Sequence, residues 1–296
     1  MEWNAMEKIA KKQVKWVFER DCYLEDDNVQ RMISFCKARN VPYQHVDFVL
    51  FGSSDHIKWK FGDDEIVICY GSIGFARHVL RTKKWYPGVW CDFEKLRCTS
   101  YLAHWGEFSI HQHYALLPLN EVKRKKDYLF QQYGKDGHTI FIRPDSNDKI
   151  FHGEKVHYDL FDKWWSFAQI YQPTPEQLTM VSAPSVIKNE WRFVVSAGEV
   201  VTGSRYVHTP DGNVSHAKLG DVEEDEKAFF FAETVSRSTE WKPAPIYTLD
   251  VCQSDNDFRL LECGSINTSG LYKCSLERIM VAAEGIAMGE WSELIL

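Results

Sequence analysis

Hydrophobic and polar positions divide the chain into two regions with different patterns. In the first region, apolar residues recur at helical spacing in three segments: 6–20, Asn28–Arg39 and 75–82. Between these segments lie two β-rich apolar runs that end in glycine turns: VDFVLF at 46–51 and EIVICYGS at 65–72. A strand followed by a glycine turn and a helix predicts an α/β unit, which we place at residues 1–110. The aromatic-rich stretch 84–105 has no clear period, so we interpret it as loops and short strands.

From about residue 110 the pattern favours antiparallel strands mixed with helices. The segment EWRFVVSAGEVVTGSRYV at 190–207 alternates apolar and polar residues around Ala197-Gly198, which predicts a β-hairpin. The other elements are two strands around a polar loop at 138–156, a strand–turn–strand at 246–264, a helix closing at Gly134, and helices near 157–170, 227–238 and 275–286. We therefore predict an α+β fold class for residues 111–296, after the α/β unit.

Charge and apolar run length exclude several classes of protein. The 296 residues include 35 Lys and Arg against 42 Asp and Glu, a formal charge of −7. This acidic balance argues against a surface that grips nucleic acid or anionic lipid as a whole, and we interpret the basic run at 123–126 as a solvated helix start. The longest apolar runs fall far short of the roughly 18 residues of a membrane span. We expect neither a membrane nor a nucleic-acid partner.

Cysteine and histidine spacing gives no sign of a disulfide framework or a zinc site. The eight cysteines contain no Cys-x-x-Cys pair, and the first residues lack the apolar core of a signal peptide. Both features predict buried thiols in a reducing cytoplasm. His111 and His113 have the spacing of two ligands on one strand face, but no further Cys or His set completes a zinc site nearby.

The first polar cluster lies at the end of the predicted strand TIFIRP. Arg143 ends this strand, and Lys149 follows six residues later in a polar loop. A planar guanidinium group and a movable ammonium group suit a polyphosphate. A solvated strand end with an ordinary surface loop has the same pattern, and these residues alone favour that interpretation.

The second polar cluster belongs to the predicted hairpin. Glu190 and Arg192 share one strand face because side chains alternate along a strand, and Arg205 lies across the turn. A carboxylate and a guanidinium group on one face form a structural ion pair, or bind a sugar hydroxyl and a phosphate. Spacing alone favours the ion pair.

The third polar cluster contains two carboxylates at the ends of neighbouring strands. Asp250 follows Leu249, and Glu262 follows a pair of leucines, so both acids lie against apolar surface. Acids in such surroundings need a partner, and two antiparallel strands of this length bring the carboxylates side by side. Mg²⁺ commonly takes one or two carboxylates together with phosphates and water. Two solvent-facing acids at strand ends are the alternative.

Taken in order, these clusters resemble the ATP-grasp superfamily. The segments that carry the resemblance are FIRPDSNDKIFHG (141–153), EWRFVVSAGEVVTGSRY (190–206) and YTLDVCQSDNDFRLLECGSINTSGLY (247–272). The match is nearest to a branch frequent in bacteriophage genomes, with an Arg–Lys nucleotide-binding strand. The resemblance implies two α+β lobes that clamp ATP, at about 111–182 (small lobe) and 183–296 (large lobe), after an α/β pre-domain at 1–110.

The resemblance also implies roles on the nucleotide side of the site. Arg143 and Lys149 resemble the pair that meets the ATP phosphates. Val181 and Ser182 resemble the hinge whose backbone reads the adenine edge, and Glu190 resembles an acid on the nucleotide side. A loop at about 145–155 is expected to cover ATP and exclude water.

Catalytic and metal-binding roles follow from the same resemblance. Arg192 and Arg205 resemble cations that neutralise the γ-phosphate or an acyl-phosphate, so four cations would converge on one cleft. Asp250 and Glu262 resemble Mg²⁺ ligands. Many ATP-grasp enzymes have Glu-x-Asn here, whereas this chain has a glycine at the Asn position. Either Asn267 supplies the missing oxygen, or one of two metal sites is weakened.

The activity that the resemblance implies is an ATP- and Mg²⁺-dependent ligase. Such an enzyme phosphorylates a carboxylate, and an amine, or less often a thiol, attacks the acyl-phosphate. The carboxylate and the acceptor, each a small molecule or a peptide, are expected to contact Trp85–His113 and His208–Lys227. The alternatives are a nucleotide-binding sensor or host-interaction factor and a kinase-like phosphotransferase. The cytoplasm is the expected location, that of the host if a phage encodes the chain.

Overall fold

The computed structural model describes residues 12–20, 22, 27–49, 57–134, 138–148, 150–208, 214–220 and 222–295. Lys149 and the beginning of the predicted first helix therefore lie outside the described residues. Within the described ranges the strands form three sheets, which we call the N-terminal, middle and C-terminal sheets after their order along the chain.

The N-terminal sheet is parallel throughout. The elements of this region are strands β1 (Lys15–Glu19), β2 (Tyr43–Val46), β3 (Glu65–Tyr70) and β4 (Trp85–Gly88), with helices α1 (Asn28–Ala38), α2 (Ile73–Thr82) and α3 (Cys98–Trp105). The strand order is β2-β1-β3-β4. Residues 66–70 are buried in succession, as expected for a parallel strand covered on both faces. Ser72 caps α2 by accepting a hydrogen bond of 3.2 Å from the Phe75 backbone N–H.

Strand β1 corrects the helical interpretation of residues 6–20. Trp16, Val17 and Phe18 are each no more than 1% exposed. Three consecutive buried residues require cover on both faces of a strand, because side chains alternate. The helical spacing was therefore misleading at residues 15–19.

Helix α3 corrects the prediction of loops and short strands over 84–105. Its buried residues are Cys98, Tyr101, Leu102 and Trp105. They have the i, i+3, i+4, i+7 spacing of one helix face. Aromatic residues on both sides of the helix obscured this period in the sequence.

The middle sheet is antiparallel, in the order β5-β8-β6-β7. Its strands and helices are β5 (Tyr114–Pro118), α4 (Leu119–Arg124), α5 (Lys126–Tyr133), β6 (Thr139–Pro144), β7 (Glu154–His157), α6 (Phe161–Ala168) and β8 (Leu178–Ser182). The core of this region combines Ile140 and Ile142 of β6 with Phe161 and Trp164 of α6. The basic run contacts its own neighbours, since Arg124 pairs with Glu121 at 2.5 Å.

The C-terminal sheet is antiparallel, in the order β11-β10-β9-β12-β13. Its elements are β9 (Asn189–Ser196), β10 (Glu199–His208), β11 (Val214–Lys218), α7 (Glu223–Arg237), β12 (Ile246–Ser254), β13 (Asp257–Ser265) and α8 (Leu276–Ile295). The predicted hairpin is present: Ala197 and Gly198 both have positive φ, at 51° and 83°. Two positive φ values are typical of the two-residue turns that join twisted strands.

Helix α8 joins the two ends of the chain in one core. It contacts β3 and β4 of the N-terminal sheet as well as β9 and β10 of the C-terminal sheet. Ile279, Met280 and Ala283 of this helix pack in the same cluster as Ile68 of β3 and Val194 of β9. The helix therefore crosses the predicted boundary between residues 1–110 and 111–296, and it fixes the two sheets relative to each other.

The cysteines and the helix lengths bear on two further predictions. All eight cysteines lie in the described part of the chain, no disulfide joins any two of them, and seven are buried. Among the described helices, none is both long enough and apolar enough to span a membrane.

Candidate active site

A cleft of about 800 Å³ lies where the three sheets meet. The N-terminal region contributes Cys22 and Ile73 to its wall, and the middle sheet contributes Arg143. The C-terminal sheet supplies the largest share, which includes Glu190, Arg192, Tyr206, His216, Thr248, Glu262, Gly264 and Tyr272. Val214 and His216 belong to the predicted substrate-contacting segment 208–227, whereas none of the described lining residues comes from 85–113.

Strand register brings three of the predicted site residues together. Asp250 on β12 lies opposite Arg192 on β9 and opposite Glu262 on β13. Directly opposed residues in antiparallel strands point to the same face of the sheet. A register shift between Asp250 and Val251 is essential to this arrangement. Without the extra residue in β13, Glu262 would point to the other face, because side chains alternate.

Arg192 and Asp250 form a buried bidentate ion pair. Arg192 Nε donates to Asp250 Oδ1 at 2.8 Å, and Nη2 donates to Oδ2 at 2.6 Å. The remaining nitrogen, Nη1, donates to the Gly270 carbonyl at 2.8 Å, and the Tyr206 hydroxyl donates to Asp250 Oδ2 at 3.3 Å. The Asp250 side chain is 2% exposed. Burial raises its pKa and the paired guanidinium group lowers it, so the two charges depend on each other.

Arg143 and Glu262 connect the middle sheet to the C-terminal sheet. Arg143 Nη2 donates to Glu262 Oε2 at 2.9 Å. The side chains are 13% and 34% exposed, respectively, and both line the cleft. Of the two predicted metal-binding carboxylates, Glu262 is therefore the one that the cleft exposes, while Asp250 lies behind Arg192.

Glu190 lines the cleft and lies opposite Tyr206 in the ladder between β9 and β10. Burial raises the pKa of Glu190 to about 7, and the nearby charges of Asp250 and Glu262 act in the same direction. A hydrogen bond with Tyr206 and the charge of Arg192 oppose this rise. Glu190 therefore changes charge near neutral pH.

Arg205 does not join the cleft, which corrects the prediction that four cations converge there. It lies opposite Trp191 and therefore on the other face from Arg192. On that face its Nη1 is 3.9 Å from Asp225 Oδ1 of helix α7. The cause is a register shift between Val200 and Thr202, since a one-residue bulge moves every later side chain to the opposite face.

Asn267 is also not placed as a metal ligand. Its Oδ1 accepts hydrogen bonds from the Trp90 backbone N–H at 2.8 Å and from Ser265 Oγ at 3.2 Å. Its Nδ2 donates to the Cys69 carbonyl at 2.7 Å. The residue is 1% exposed. Asn267 therefore ties the end of β13 to the N-terminal region, and its oxygen is already used by two donors.

Val181 and Ser182 lie at the end of β8, inside the middle sheet. Val181 is fully buried between β5 and β6, and Ser182 Oγ is 3.0 Å from His111 Nδ1. Neither side chain lines the cleft, whose wall begins on this side at Ile187. Lys149 lies outside the described residues, although its neighbour Asn147 lines the cleft.

The family comparison accords with this geometry. A family model described as an ATP-grasp domain, clade family 3, matches residues 99–283, more than half of the chain. The chain belongs to the ATP-grasp superfamily. Its sequence finds no match among curated proteins.

Solved structures share the whole ATP-grasp fold of this chain at low sequence identity. D-cycloserine synthetase DcsG has 13% identity and a TM-score of 0.62, over 93% of this chain and 99% of that one. D-alanyl-alanine synthetase A from Vibrio cholerae has 12% identity and a TM-score of 0.64, over 95% and 98%. The ATP-grasp ligase PsnB, complexed with a minimal precursor, has 10% identity and a TM-score of 0.52, over 94% and 100%. Likeness at this level supports the fold.

The ATP-grasp cleft contains an aromatic wall that the sequence analysis did not identify. The Tyr206 and Tyr272 rings lie 4.9 Å apart, and the His216 ring is 5.8 Å from Tyr272. The Arg192 guanidinium group lies 5.0 Å from the centre of the Tyr272 ring. Tyr206 occupies the strand face on which Arg205 was predicted. The bulge in β10 explains the exchange, and the sequence carried no signal for it.

The residues present fit one Mg²⁺ ion in this ATP-grasp site. Asp250 and Glu262 are opposed carboxylates, and the charge of Glu262 raises the pKa of Asp250. A cation between them would relieve this repulsion. Among the described residues, no group of three or more His, Cys, Asp or Glu side chains is arranged to hold a metal. Phosphate oxygens and water would therefore have to complete the coordination.

Proposed function

We propose that the chain is an ATP- and Mg²⁺-dependent ligase that joins a carboxylate to an amine, or to a thiol, through an acyl-phosphate. The observation that carries this proposal is the contact between Arg143 and Glu262 across the cleft. A phosphate-binding cation and a metal-binding carboxylate then face one cavity of about 800 Å³. Ligand pockets of a few hundred to about 1,000 Å³ hold molecules of nucleotide size.

The protein's own contribution to phosphoryl transfer would be positioning and neutralisation of charge, since this reaction needs no protein nucleophile. Arg143 would donate to phosphate oxygens from the middle sheet. Arg192 is held by Asp250 and Gly270, so it would present a fixed positive charge. Asp250 and Glu262 would hold Mg²⁺, which when bound neutralises charge on the phosphates.

The reaction would proceed in two displacements. A carboxylate oxygen of the first substrate attacks the γ-phosphorus, and ADP leaves. The amine nitrogen or the thiol sulfur of the acceptor then attacks the acyl carbon, phosphate leaves, and the acceptor loses a proton. The wall formed by Tyr206, Tyr272 and His216 adjoins Arg192, and we assign it to the second substrate.

The remaining predicted residues keep nucleotide roles within this proposal. The segment that follows Val181 and Ser182 would meet the adenine, and Glu190 would contact the nucleotide from β9. Lys149 would add a second phosphate-binding cation. The surroundings of Glu190 support its role, because it lines the cleft on the same strand face as Arg192.

Calorimetry with a non-hydrolysable ATP analogue and Mg²⁺ tests the nucleotide site. We expect Glu262→Gln to weaken binding at least about tenfold, in the range of a lost charged contact. Glu199→Gln is the matched control, because the Glu199 side chain is 77% exposed. Equal affinities of the wild type and Glu262→Gln would refute the assignment of the metal-binding carboxylate.

A product assay tests the ligase step. ADP release that requires both an added carboxylic acid and an added amine or thiol would support it. A stable phosphorylated product with no joined acceptor would favour a kinase-like activity instead. Nucleotide binding without ADP release from any acid and acceptor pair would favour a nucleotide-binding sensor.

A further inference from the structure

The residue pair next to Asp250 and Glu262 in the ladder lacks a carboxylate or amide on either strand. Thr248 on β12 lies opposite Gly264 on β13, and both line the cleft. They share the face of Asp250 and Glu262, because residues two positions apart on a strand point the same way. Gly264 therefore lies where a further metal-binding side chain beside Glu262 would begin.

No side chain fits at Gly264 without displacing its neighbours. A Cβ atom added there would lie 2.8 Å from Thr248 Oγ1 and 3.2 Å from Ser269 Oγ. Asn147 Nδ2 would be 3.7 Å away. The two hydroxyls are themselves 3.4 Å apart. Thr248, Ser269 and Asn147 therefore fill this place with neutral hydrogen-bonding groups, and we call them the neutral cluster.

The loop that carries Asn147 is anchored on both sides. Asp145 accepts hydrogen bonds from the Thr99 backbone N–H at 2.7 Å and from its hydroxyl at 2.8 Å. Asp148 pairs with Arg77 of α2 at 2.6 Å. These contacts hold Asn147 over Gly264 from the N-terminal region, so its position is part of the fold.

We propose that this cleft binds ATP with one divalent cation, and that the neutral cluster contacts the phosphates where a second cation would lie. Mg²⁺ in nucleotide sites is held by one or two carboxylates besides the phosphates. Asp250 and Glu262 meet that need for one ion, while Asn267 is consumed by Trp90, Ser265 and Cys69.

The charge of the missing ion has a replacement in the same cleft. Arg143 bonds to Glu262 at 2.9 Å, so its guanidinium group lies beside the carboxylate that a second cation would share. Hydroxyl and amide groups donate hydrogen bonds to phosphate oxygens without adding charge. One cation and Arg143 together then neutralise the phosphates, with the neutral cluster supplying orientation.

Manganese counting by electron paramagnetic resonance tests this inference, which rests on the proposed nucleotide site. Full-length protein in excess over adenylyl imidodiphosphate is titrated with Mn²⁺, and the free-ion signal gives the number of ions bound per nucleotide. We expect one. Two ions per bound nucleotide would overturn the inference and leave the proposed function standing. Failure to bind the nucleotide at all would overturn both.

A double variant tests whether Gly264 is the determinant. Thr248→Ala removes the atom closest to the new side chain, so Thr248→Ala/Gly264→Asn makes room for an amide oxygen beside Glu262. We expect the count to rise from one ion to two in the double variant and to stay at one in Thr248→Ala alone. A folded double variant that still binds one ion would refute the role of Gly264. The count for the wild type does not depend on the folding of either variant.

Discussion

Arg143 and Glu262 are 119 positions apart in the chain, yet Arg143 Nη2 lies 2.9 Å from Glu262 Oε2. The bond joins the end of β6 in the middle sheet to β13 in the C-terminal sheet. It is the contact in which a phosphate-binding group and a metal-binding group of the proposed site neutralise each other. Entry of MgATP would replace this bond with one contact from each residue to the ligand.

Replacing Arg143 should weaken binding of MgATP. A hydrogen bond to a charged group contributes about 1.5–3 kcal/mol, so Arg143→Ala should lower the affinity by roughly 10- to 100-fold. Arg143→Lys keeps the charge without the planar fork and should lose less. Calorimetry would measure both, with Arg237→Ala as control, since the Arg237 side chain is 56% exposed. An unchanged affinity in Arg143→Ala would contradict the proposed phosphate contact.

The two arginines of the hairpin should differ in their effect on stability. Arg192→Gln leaves Asp250 buried without its ion-pair partner, which should cost about 3–5 kcal/mol of unfolding free energy. Arg205→Gln removes a loose contact of 3.9 Å with Asp225, and we expect a loss below about 1 kcal/mol. Asp225 retains its hydrogen bonds with Trp191 and with the Gly220 backbone N–H. Urea unfolding of both variants checks the order, and equal losses would argue against the two-face arrangement.

Asn267→Ala should destabilise the fold. The change removes partners from the Trp90 backbone N–H and the Cys69 carbonyl, and each unsatisfied buried group costs about 1–3 kcal/mol. Asn189→Ala is a matched control, since that amide makes one 2.9 Å bond to the Gln253 side chain. Denaturant unfolding should therefore show a larger loss for Asn267→Ala. A loss of bound metal at unchanged stability would instead support a ligand role for Asn267.

Glu190 should make the stability of the protein depend on pH. Its pKa is about 7 in the folded state against 4.5 as the ordinary value, so the folded state keeps a proton that the unfolded state releases between these values. Wild-type stability relative to Glu190→Gln should fall as pH rises from 4.5 to 7, by up to about 3 kcal/mol. Unfolding of both proteins across this range measures the difference. A constant difference, or one that grows with pH, would contradict the burial of an ionisable carboxyl group here.

The sequence by itself determined the elements whose pattern depends on one buried face. Alternation located the hairpin of β9 and β10 and the pair β12 and β13, and the order of polar clusters led to the ATP-grasp resemblance that the family match at 99–283 confirms. Strand β1 was missed because it is covered on both faces, so its apolar residues show no alternation.

Tertiary structure decided which side chains meet in the cleft. One bulge, between Val200 and Thr202, turns Arg205 out and Tyr206 in, and another, beside Asp250, turns Glu262 towards it. A bulge depends on the fit of one strand against its neighbours, and a shift by one residue exchanges the faces of a strand. Residue types and spacing therefore named the candidates, while the register of the assembled sheet selected among them.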